Sequence, residues 1–179
     1  MSVPVLIIGG GIGGLVTALC LHRVGVPVRV FESAREVRPL GVGINLLPHA
    51  VRVLRELGLE SGLAATAIET AELVYVNKFG QHIWREPRGI AAGYAVPQYS
   101  IHRGELQMIL YRAALDRLPA GTIRTGATLA RFEENDAGVT AHFVDRENGD
   151  AAFTATGPAM IAADGIHSTV RRTFYPDEG

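Results

Sequence analysis

Five residues near the N-terminus have the types and spacing that nucleotide binding requires. Gly9, Gly11, Gly13 and Gly14 follow an apolar run, and Glu32 ends the next apolar run 18 positions after Gly14. Gly9 permits a sharp turn after a strand, Gly11 lets the backbone approach a diphosphate, and Gly14 lets the following helix pack closely. The Glu32 carboxylate would accept the hydroxyls of an adenosine ribose and repel a 2′-phosphate. The pattern predicts a strand–helix–strand unit that binds FAD or NAD but not NADP.

Three alternative interpretations of this segment are weaker. A glycine turn of purely structural role needs neither the helix after it nor an acid about 20 residues further on, and this chain has both. A P-loop is excluded because no Lys-Ser or Lys-Thr pair follows the glycines. Residues 1–21 carry no charge, but five glycines among residues 9–14 interrupt them and no basic segment precedes them. We therefore expect no targeting segment and no membrane span.

Composition and charge restrict the class of protein further. The 179 residues are 47% hydrophobic and carry a net charge of -1, so we expect a buried core and no binding to nucleic acid or to a membrane. The single cysteine, Cys20, cannot form an internal disulfide, which favours a cytoplasmic location. The histidines are scattered, and none has zinc-site spacing with the cysteine. We identify no catalytic nucleophile, dyad or metal ligand, which suits an enzyme whose cofactor carries the chemistry.

The pattern of the chain predicts an α/β fold with a Rossmann-like βαβ domain. We assign residues 1–69 and 101–179 to this nucleotide-binding domain, and residues 70–100 to an antiparallel β excursion that begins a substrate domain. Four aromatic residues of the excursion are assigned to core packing: Tyr75, Trp84, Tyr94 and Tyr99.

Local patterns predict individual elements within these segments. After Glu32 we expect a polar loop at 33–47, helices at 49–59 and 103–118, a buried strand at 158–164 and a last helix from about Ser168. Short strands are expected near 122–125, 128–133, 138–145 and 151–156, with turns at 136–138 and 148–149.

Three motifs in this order resemble one protein family. They are the glycine turn with Glu32, the segment SIHRGELQMIL at 100–110 and the segment PAMIAADGIHSTVRR at 158–172. Together they resemble the FAD-dependent aromatic hydroxylases, the single-component flavin monooxygenases typified by para-hydroxybenzoate and salicylate hydroxylases. The segment GVGINLLPHAVRVLRELGL at 41–59 is most similar to the phenazine-modifying members of that family. The resemblance covers essentially the whole chain.

The resemblance implies cofactor-binding roles for particular residues. The FAD diphosphate and ribose would be bound by Gly9, Gly11, Gly13, Gly14 and Glu32, and Arg103 would lie against the flavin ribityl region. Asp164 and Gly165 would support both cofactor and reductant. His167 and Arg171 would take part in the binding of NADH or NADPH. Taken alone, these residue types also fit a solvated helix start at Arg103, a turn or helix cap at Asp164, a loop position at His167 and a solvated face at Arg171.

The implied activity is a monooxygenase reaction. NADH or NADPH would reduce FAD, and dioxygen would then supply one oxygen atom to a small aromatic substrate. Two other functions fit the same βαβ unit: a NAD- or FAD-dependent reductase or dehydrogenase, and a non-catalytic nucleotide-binding module.

Members of the resembled family have longer chains than this one. We therefore expect this chain to be only the N-terminal portion of such a protein, without the downstream substrate domain and the C-terminal helices. We expect this portion to be inactive by itself. Exposed sheet edges in residues 70–100 would then be a route to homo-oligomers.

Overall fold

The computed structural model describes residues 3–145 and 150–178. Their strands, in chain order, are β1 (Val5–Ile8), β2 (Val28–Phe31), β3 (Gly43–Leu46), β4 (Ile68–Glu69), β5 (Glu72–Val76), β6 (His82–Pro87), β7 (Tyr99–His102), β8 (Ile123–Arg124), β9 (Thr128–Asn135), β10 (Gly138–Val144), β11 (Ala151–Gly157) and β12 (Met160–Ala162). The helices are α1 (Ile12–Arg23), α2 (Pro48–Glu56), α3 (Glu60–Thr66), α4 (Arg103–Arg117) and α5 (Thr169–Phe174), and a 3-10 helix spans Gly89–Ala92. The chain divides into a first unit, Met1–Arg38 with Leu110–Gly179, and a second unit, Pro39–Ile109.

A parallel sheet of strand order β12-β1-β2-β8 lies in the first unit. β1 is a central strand, since Leu6 pairs with Met160 on one side and with Arg29 on the other. Its uninterrupted apolar sequence suits a strand that is covered on both faces, and Leu6 and Ile7 are fully buried. α1 connects β1 to β2, so the predicted α/β fold with a βαβ unit is confirmed.

An antiparallel sheet of order β11-β10-β9 completes the core of the first unit. Phe31 at the end of β2 packs against Phe143 of β10 with their ring centroids 4.5 Å apart, and Phe143 stacks on Phe153 of β11 at 4.6 Å. Leu129 of β9 is buried in the same cluster. Because Glu32 follows Phe31 directly, this aromatic cluster also fixes the end of β2 against the start of β9.

The second unit contains an antiparallel sheet of order β3-β7-β4, the helices α2 and α3, and a separate hairpin. Val51 and Leu54, three positions apart on α2, are buried, as are Tyr99 and Ile101, which alternate on β7. The hairpin pairs β5 with β6 and is the antiparallel excursion expected for residues 70–100.

The predicted helices at 49–59 and 103–118 correspond to α2 and α4, and the last helix begins after Ser168. The polar loop predicted for 33–47 is wrong at its end, where β3 forms because it pairs with β7, a partner more than 50 residues away. β12 lies within the predicted strand at 158–164, but it is only partly buried because it is the edge of its sheet.

Core packing of the aromatic residues is wrong for three of the four. Tyr75, Trp84 and Tyr94 are each more than half exposed, and Tyr99 alone of these is buried.

The turn predicted at 148–149 lies outside the described residues, and the proposed boundaries after residues 69 and 100 stay predictions. No helix in the described part of the chain is long and apolar enough to cross a membrane.

Candidate functional site

The turn between β1 and α1 has a geometry that only glycine satisfies at two positions. Gly9 has φ +105°, and a Cβ there would lie 2.3 Å from the carbonyl oxygen of Ala163. A Cβ on Gly14 would lie 1.9 Å from the carbonyl oxygen of Gly9. The first glycine therefore permits the turn and the last permits close packing of α1 on it, which are the physical tasks predicted for them.

Gly11 is different, because nothing in the protein requires it to be glycine. It is the N-cap of α1 with φ −74° and ψ −175°, and a Cβ there would meet no atom of the described residues within 4 Å. The space beside it is open, its backbone has no side chain to cap the helix, and the first turn of α1 contains no acidic residue. A bare helix N-terminus next to open space is well suited to a diphosphate, since free amide groups and the helix dipole both favour an anion.

The Glu32 carboxylate connects the glycine turn to the end of β2. Its Oε2 accepts a hydrogen bond from the Gly10 amide at 2.6 Å, and its Oε1 accepts from the Ala34 amide at 2.7 Å and the Ser33 hydroxyl at 3.2 Å. A carboxylate accepts about four hydrogen bonds. These protein donors use three, so the carboxylate is held in a fixed position with capacity for a ribose hydroxyl.

The Asp-Gly motif forms the start of α5. Asp164 accepts through Oδ2 from the amides of Thr169 at 2.9 Å and Val170 at 3.4 Å, and the Ser168 hydroxyl accepts from the Arg171 amide at 2.9 Å. Gly165 between them has φ +76°. Both acidic and hydroxyl side chains thus cap the helix, which is the structural role that the residue types alone allowed for Asp164.

These segments line one cleft of about 530 Å³, a volume typical of small-molecule sites. Its lining comes from the carboxyl ends of the parallel strands and from the residues that follow them: residues 8, 9 and 11 at the end of β1, residues 31–33 at the end of β2, residues 127–129 after β8, and residues 163–165 after β12. His167, Thr169 and Arg172 complete that side of the cleft. Ligands of open parallel sheets bind at this edge.

Not every predicted site residue lies in this cleft. Gly9, Gly11, Glu32, Asp164, Gly165 and His167 line it, whereas Gly13 and Gly14 lie within α1 beside it. Arg171 is exposed and directs its guanidinium to the Ile166 carbonyl at 2.7 Å and to Glu178 at 3.2 Å. Arg103 belongs to the second unit, where its Nε would lie 2.6 Å from a Cβ on Gly41.

Sequence reasoning missed the contribution of β9 and of one arginine. Thr128 and Leu129 line the cleft because they follow the short strand β8, and Arg172, next to the predicted Arg171, lines it from α5. A signal for the first pair was present, since a strand near 122–125 was expected and ligand-binding residues follow the ends of parallel strands. The choice between two adjacent arginines depends on helix phase and was not readable from the sequence.

Comparisons with known proteins identify the family. The family model of the FAD binding domain matches residues 2–175. The chain is 50% identical over 174 residues to the phenazine 1,6-dicarboxylic acid hydroxylase PhzS of Lysobacter antibioticus, an alignment that covers 97% of this chain and 43% of that protein. It is 37% identical over 180 residues to the 3-amino-4-hydroxybenzoate 2-monooxygenase of Streptomyces cremeus, with 98% and 43% covered. The chain therefore spans less than half the length of these relatives.

Solved structures share the fold of this chain. HpxO of Klebsiella pneumoniae, complexed with FAD and uric acid, superimposes with a TM-score of 0.75 at 27% identity, over 95% of this chain and 41% of that one. The p-nitrophenol 4-monooxygenase PnpA of Pseudomonas putida DLL-E4 has the same fold, with a TM-score of 0.82 at 24% identity over 95% and 42% of the two chains. The family resemblance read from the motifs is confirmed, and this chain belongs to the FAD-binding domain family of the flavin-dependent aromatic monooxygenases.

Proposed function

We propose that this chain provides the FAD-binding portion of an NADH- or NADPH-dependent monooxygenase that hydroxylates an aromatic or heteroaromatic substrate. The observation that carries the proposal is the cleft itself, in which the uncapped N-terminus of α1, the open space at Gly11 and the fixed Glu32 carboxylate occur together. When bound, FAD supplies the redox and oxygen chemistry, and the protein supplies binding and orientation.

The residues of the cleft have distinct tasks in this proposal. The amides at the start of α1 hold the diphosphate, and Glu32 accepts a hydrogen bond from the adenosine ribose. The Glu32 charge excludes a 2′-phosphate from the same place, because two negative groups would be close together in a partly buried site. Asp164 and Gly165 support the far wall. His167 in the cleft and Arg171, which lies outside its lining, are assigned to binding of the reductant.

An aromatic carboxylic acid is the proposed class of substrate. Two relatives, one at 50% and one at 37% identity, are named for reactions on a phenazine dicarboxylic acid and on an aminohydroxybenzoate, which are both aromatic rings that carry a carboxylate. The 179-residue chain by itself is expected to bind FAD weakly and to produce no hydroxylated product, since it matches 43% of those proteins. A cytoplasmic location is proposed as well, because the single Cys20 leaves no internal disulfide to form.

Association through the β5–β6 hairpin is proposed as a property of this chain. The hairpin is a two-stranded sheet, and such a sheet has unpaired backbone groups along its outer edges. Its exposed side chains include Ile83 at 68% and Trp84 at 57%. Sedimentation velocity over a range of concentrations tests this; a strictly monomeric protein at all concentrations contradicts it.

A titration with FAD and with NAD tests the proposed cofactor. We expect FAD to bind with quenching of its fluorescence and NAD to bind more weakly, whereas a NAD-dependent reductase would show the opposite order. Gly11→Val is the informative variant, because its Cβ meets nothing in the part of the chain that the structure describes and its backbone is extended. Its fold should be intact while its side chain occupies the diphosphate position, so FAD binding should be lost.

The matched control is Ala120→Val, which adds comparable bulk at an exposed position that does not line the cleft. It should bind FAD as the wild type does. Unchanged binding of FAD by Gly11→Val would show that the glycine turn is only structural and would remove the basis of the proposal.

A further inference from the structure

β11 forms an open edge of the antiparallel sheet in the first unit. It pairs with β10 on one side, and this pairing is regular over residues 153–157. In the part of the chain that the structure describes, residues 152–157 have no hydrogen bond to any segment other than β10. The outer side of the strand therefore presents backbone amide and carbonyl groups that can pair with another strand.

This edge lacks the features that usually prevent strands from associating. Proteins protect an exposed edge with charged side chains, especially lysine, or with proline. β11 has the sequence AAFTATG, in which no residue is charged and none is proline. The opposite edge of the same sheet, β9, carries Arg131, Glu133 and Glu134, and all three are exposed. Of the two edges of this sheet, β11 is therefore the one suited to a partner strand.

The packing beneath β11 fixes the shape of the edge. Phe153 stacks on Phe143 with the ring centroids 4.6 Å apart, and the Arg124 guanidinium lies 3.3 Å from the centroid of the Phe153 ring on its other contact. At the end of the strand, a Cβ on Gly157 would lie 2.6 Å from the Pro4 carbonyl oxygen. A strand that is already ordered loses little conformational entropy when it pairs with another.

We propose that β11 pairs with β11 of a second copy of this chain, antiparallel, about a two-fold axis near the middle of the strand. The sheet β9-β10-β11 of one copy then continues into β11-β10-β9 of the other. A two-fold axis places each residue beside the same or a nearby residue of the partner, so a charge on the strand would meet a like charge. β11 has none, and its exposed face is formed by Ala152, Thr154 and Thr156.

This arrangement predicts a weak dimer that does not depend on nucleotide binding. Threonine pairs on neighbouring strands are favourable, but a contact one strand long belongs to the small, transient class of interfaces. The surface is separate from the β5–β6 hairpin, since β11 belongs to the first unit and the hairpin to the second. Sedimentation velocity of the 179-residue chain should therefore show a monomer–dimer equilibrium that responds to substitutions on β11.

Substitutions of opposite charge at Thr154, whose side chain is exposed, test the two-fold arrangement. Thr154→Lys and Thr154→Glu should each raise the dissociation constant by about tenfold or more, since like charges then lie close together at the contact. An equimolar mixture of the two variants should associate at least as well as the wild type, because opposite charges meet in the mixed dimer. A merely structural effect of the substitutions cannot produce this rescue.

The matched control is Ala130→Lys, which adds the same charge at an exposed position of β9, on the other edge of the sheet. It should dimerise as the wild type does. Hydrogen exchange locates the contact independently. Amides of residues 151–157 should exchange more slowly at high than at low protein concentration, and this concentration dependence should be absent in Thr154→Lys.

Three results would overturn the inference. One is a wild type that stays monomeric at every concentration, and another is undiminished dimerisation of both Thr154 variants. The third is protection on association that is confined to the hairpin at 72–87, which would assign the contact to that segment. Loss of association in each variant without its return in the mixture would contradict pairing about a two-fold axis.

Discussion

Replacement of Glu32 by Gln is the most direct test of how the nucleotide cleft is organised. The carboxylate accepts main-chain hydrogen bonds on both oxygens, from Gly10 at 2.6 Å and from Ala34 at 2.7 Å. Glutamine has one carbonyl oxygen and one amide NH₂ group, so one of the two amides would face a donor instead of an acceptor. The substitution preserves size while removing one hydrogen bond and the negative charge.

The magnitude follows from the hydrogen bonds. A hydrogen bond to a charged group contributes about 1.5 to 3 kcal/mol, and for a chain of this length each kcal/mol lowers the melting temperature by about 2 to 4 °C. Ligand-free Glu32→Gln should therefore melt about 3 to 12 °C below the wild type. Its affinity for FAD should fall by about 1 to 3 kcal/mol, which corresponds to about fivefold to about 150-fold.

The assay combines thermal unfolding with titrations of FAD, ADP and adenosine 2′,5′-bisphosphate. The wild type should prefer ADP, and the preference should narrow in Glu32→Gln because the charge that repels a 2′-phosphate is gone. Glu134→Gln is the matched control, since it removes the same charge from an exposed position on β9 outside the cleft. Equal FAD affinities and equal melting temperatures for the wild type and Glu32→Gln would refute the reasoning.

Two further predictions concern stability. Gly14→Ala should lower the free energy of unfolding by several kcal/mol, because its Cβ would lie 1.9 Å from the Gly9 carbonyl oxygen. Gly13→Ala has open space around its Cβ and should raise the free energy of unfolding by about 0.5 to 1 kcal/mol. Urea unfolding of both variants checks this pair of predictions. Burial and then the negative charge of Glu69 raise the pKa of Tyr99 above its ordinary value of 10.0. The folded protein therefore holds this proton more tightly, and the associated stability is complete below pH 10 and lost above it. Tyr99→Phe should weaken the alkaline loss, which unfolding curves between pH 8 and 11 would show; identical pH dependence of the two proteins would contradict it.

The local patterns of the sequence predicted the parts of the fold that depend on near neighbours. The glycine turn, α1 and the apolar strand β1 follow from steric needs and from burial on both faces, and these are visible in a short window of residues. β3 was missed because its short sequence, Gly43–Leu46, is stabilised mainly by pairing with β7. The exposure of Tyr75 and Trp84 was also not predicted. Aromatic residues are usually buried, and a local sequence pattern does not indicate whether a hairpin packs on a core.

The candidate site shows the same division. The position of Glu32 directly after a strand was predictable, but its hydrogen bonds to Gly10 and Ala34 depend on how the turn folds back. The role of Arg172 in the cleft lining, rather than Arg171, depends on the rotation of α5 about its axis. Sequence patterns therefore predicted a type of ligand and an edge of the sheet at which it binds, and the structure was needed for individual contacts on the far wall.

The strand order of the parallel sheet also has a consequence for biosynthesis. β1 is made first, yet its partner β12 is paired through Leu6 and Met160, near the opposite end of this chain. At about 5 to 20 residues per second, a ribosome needs about 8 to 30 s to deliver that partner. During this interval the apolar strand β1 has β2 on one side and nothing on the other, and closing so long a loop is slow in itself. The nascent chain is thus most vulnerable to aggregation, and most dependent on chaperones, before the Asp-Gly segment emerges.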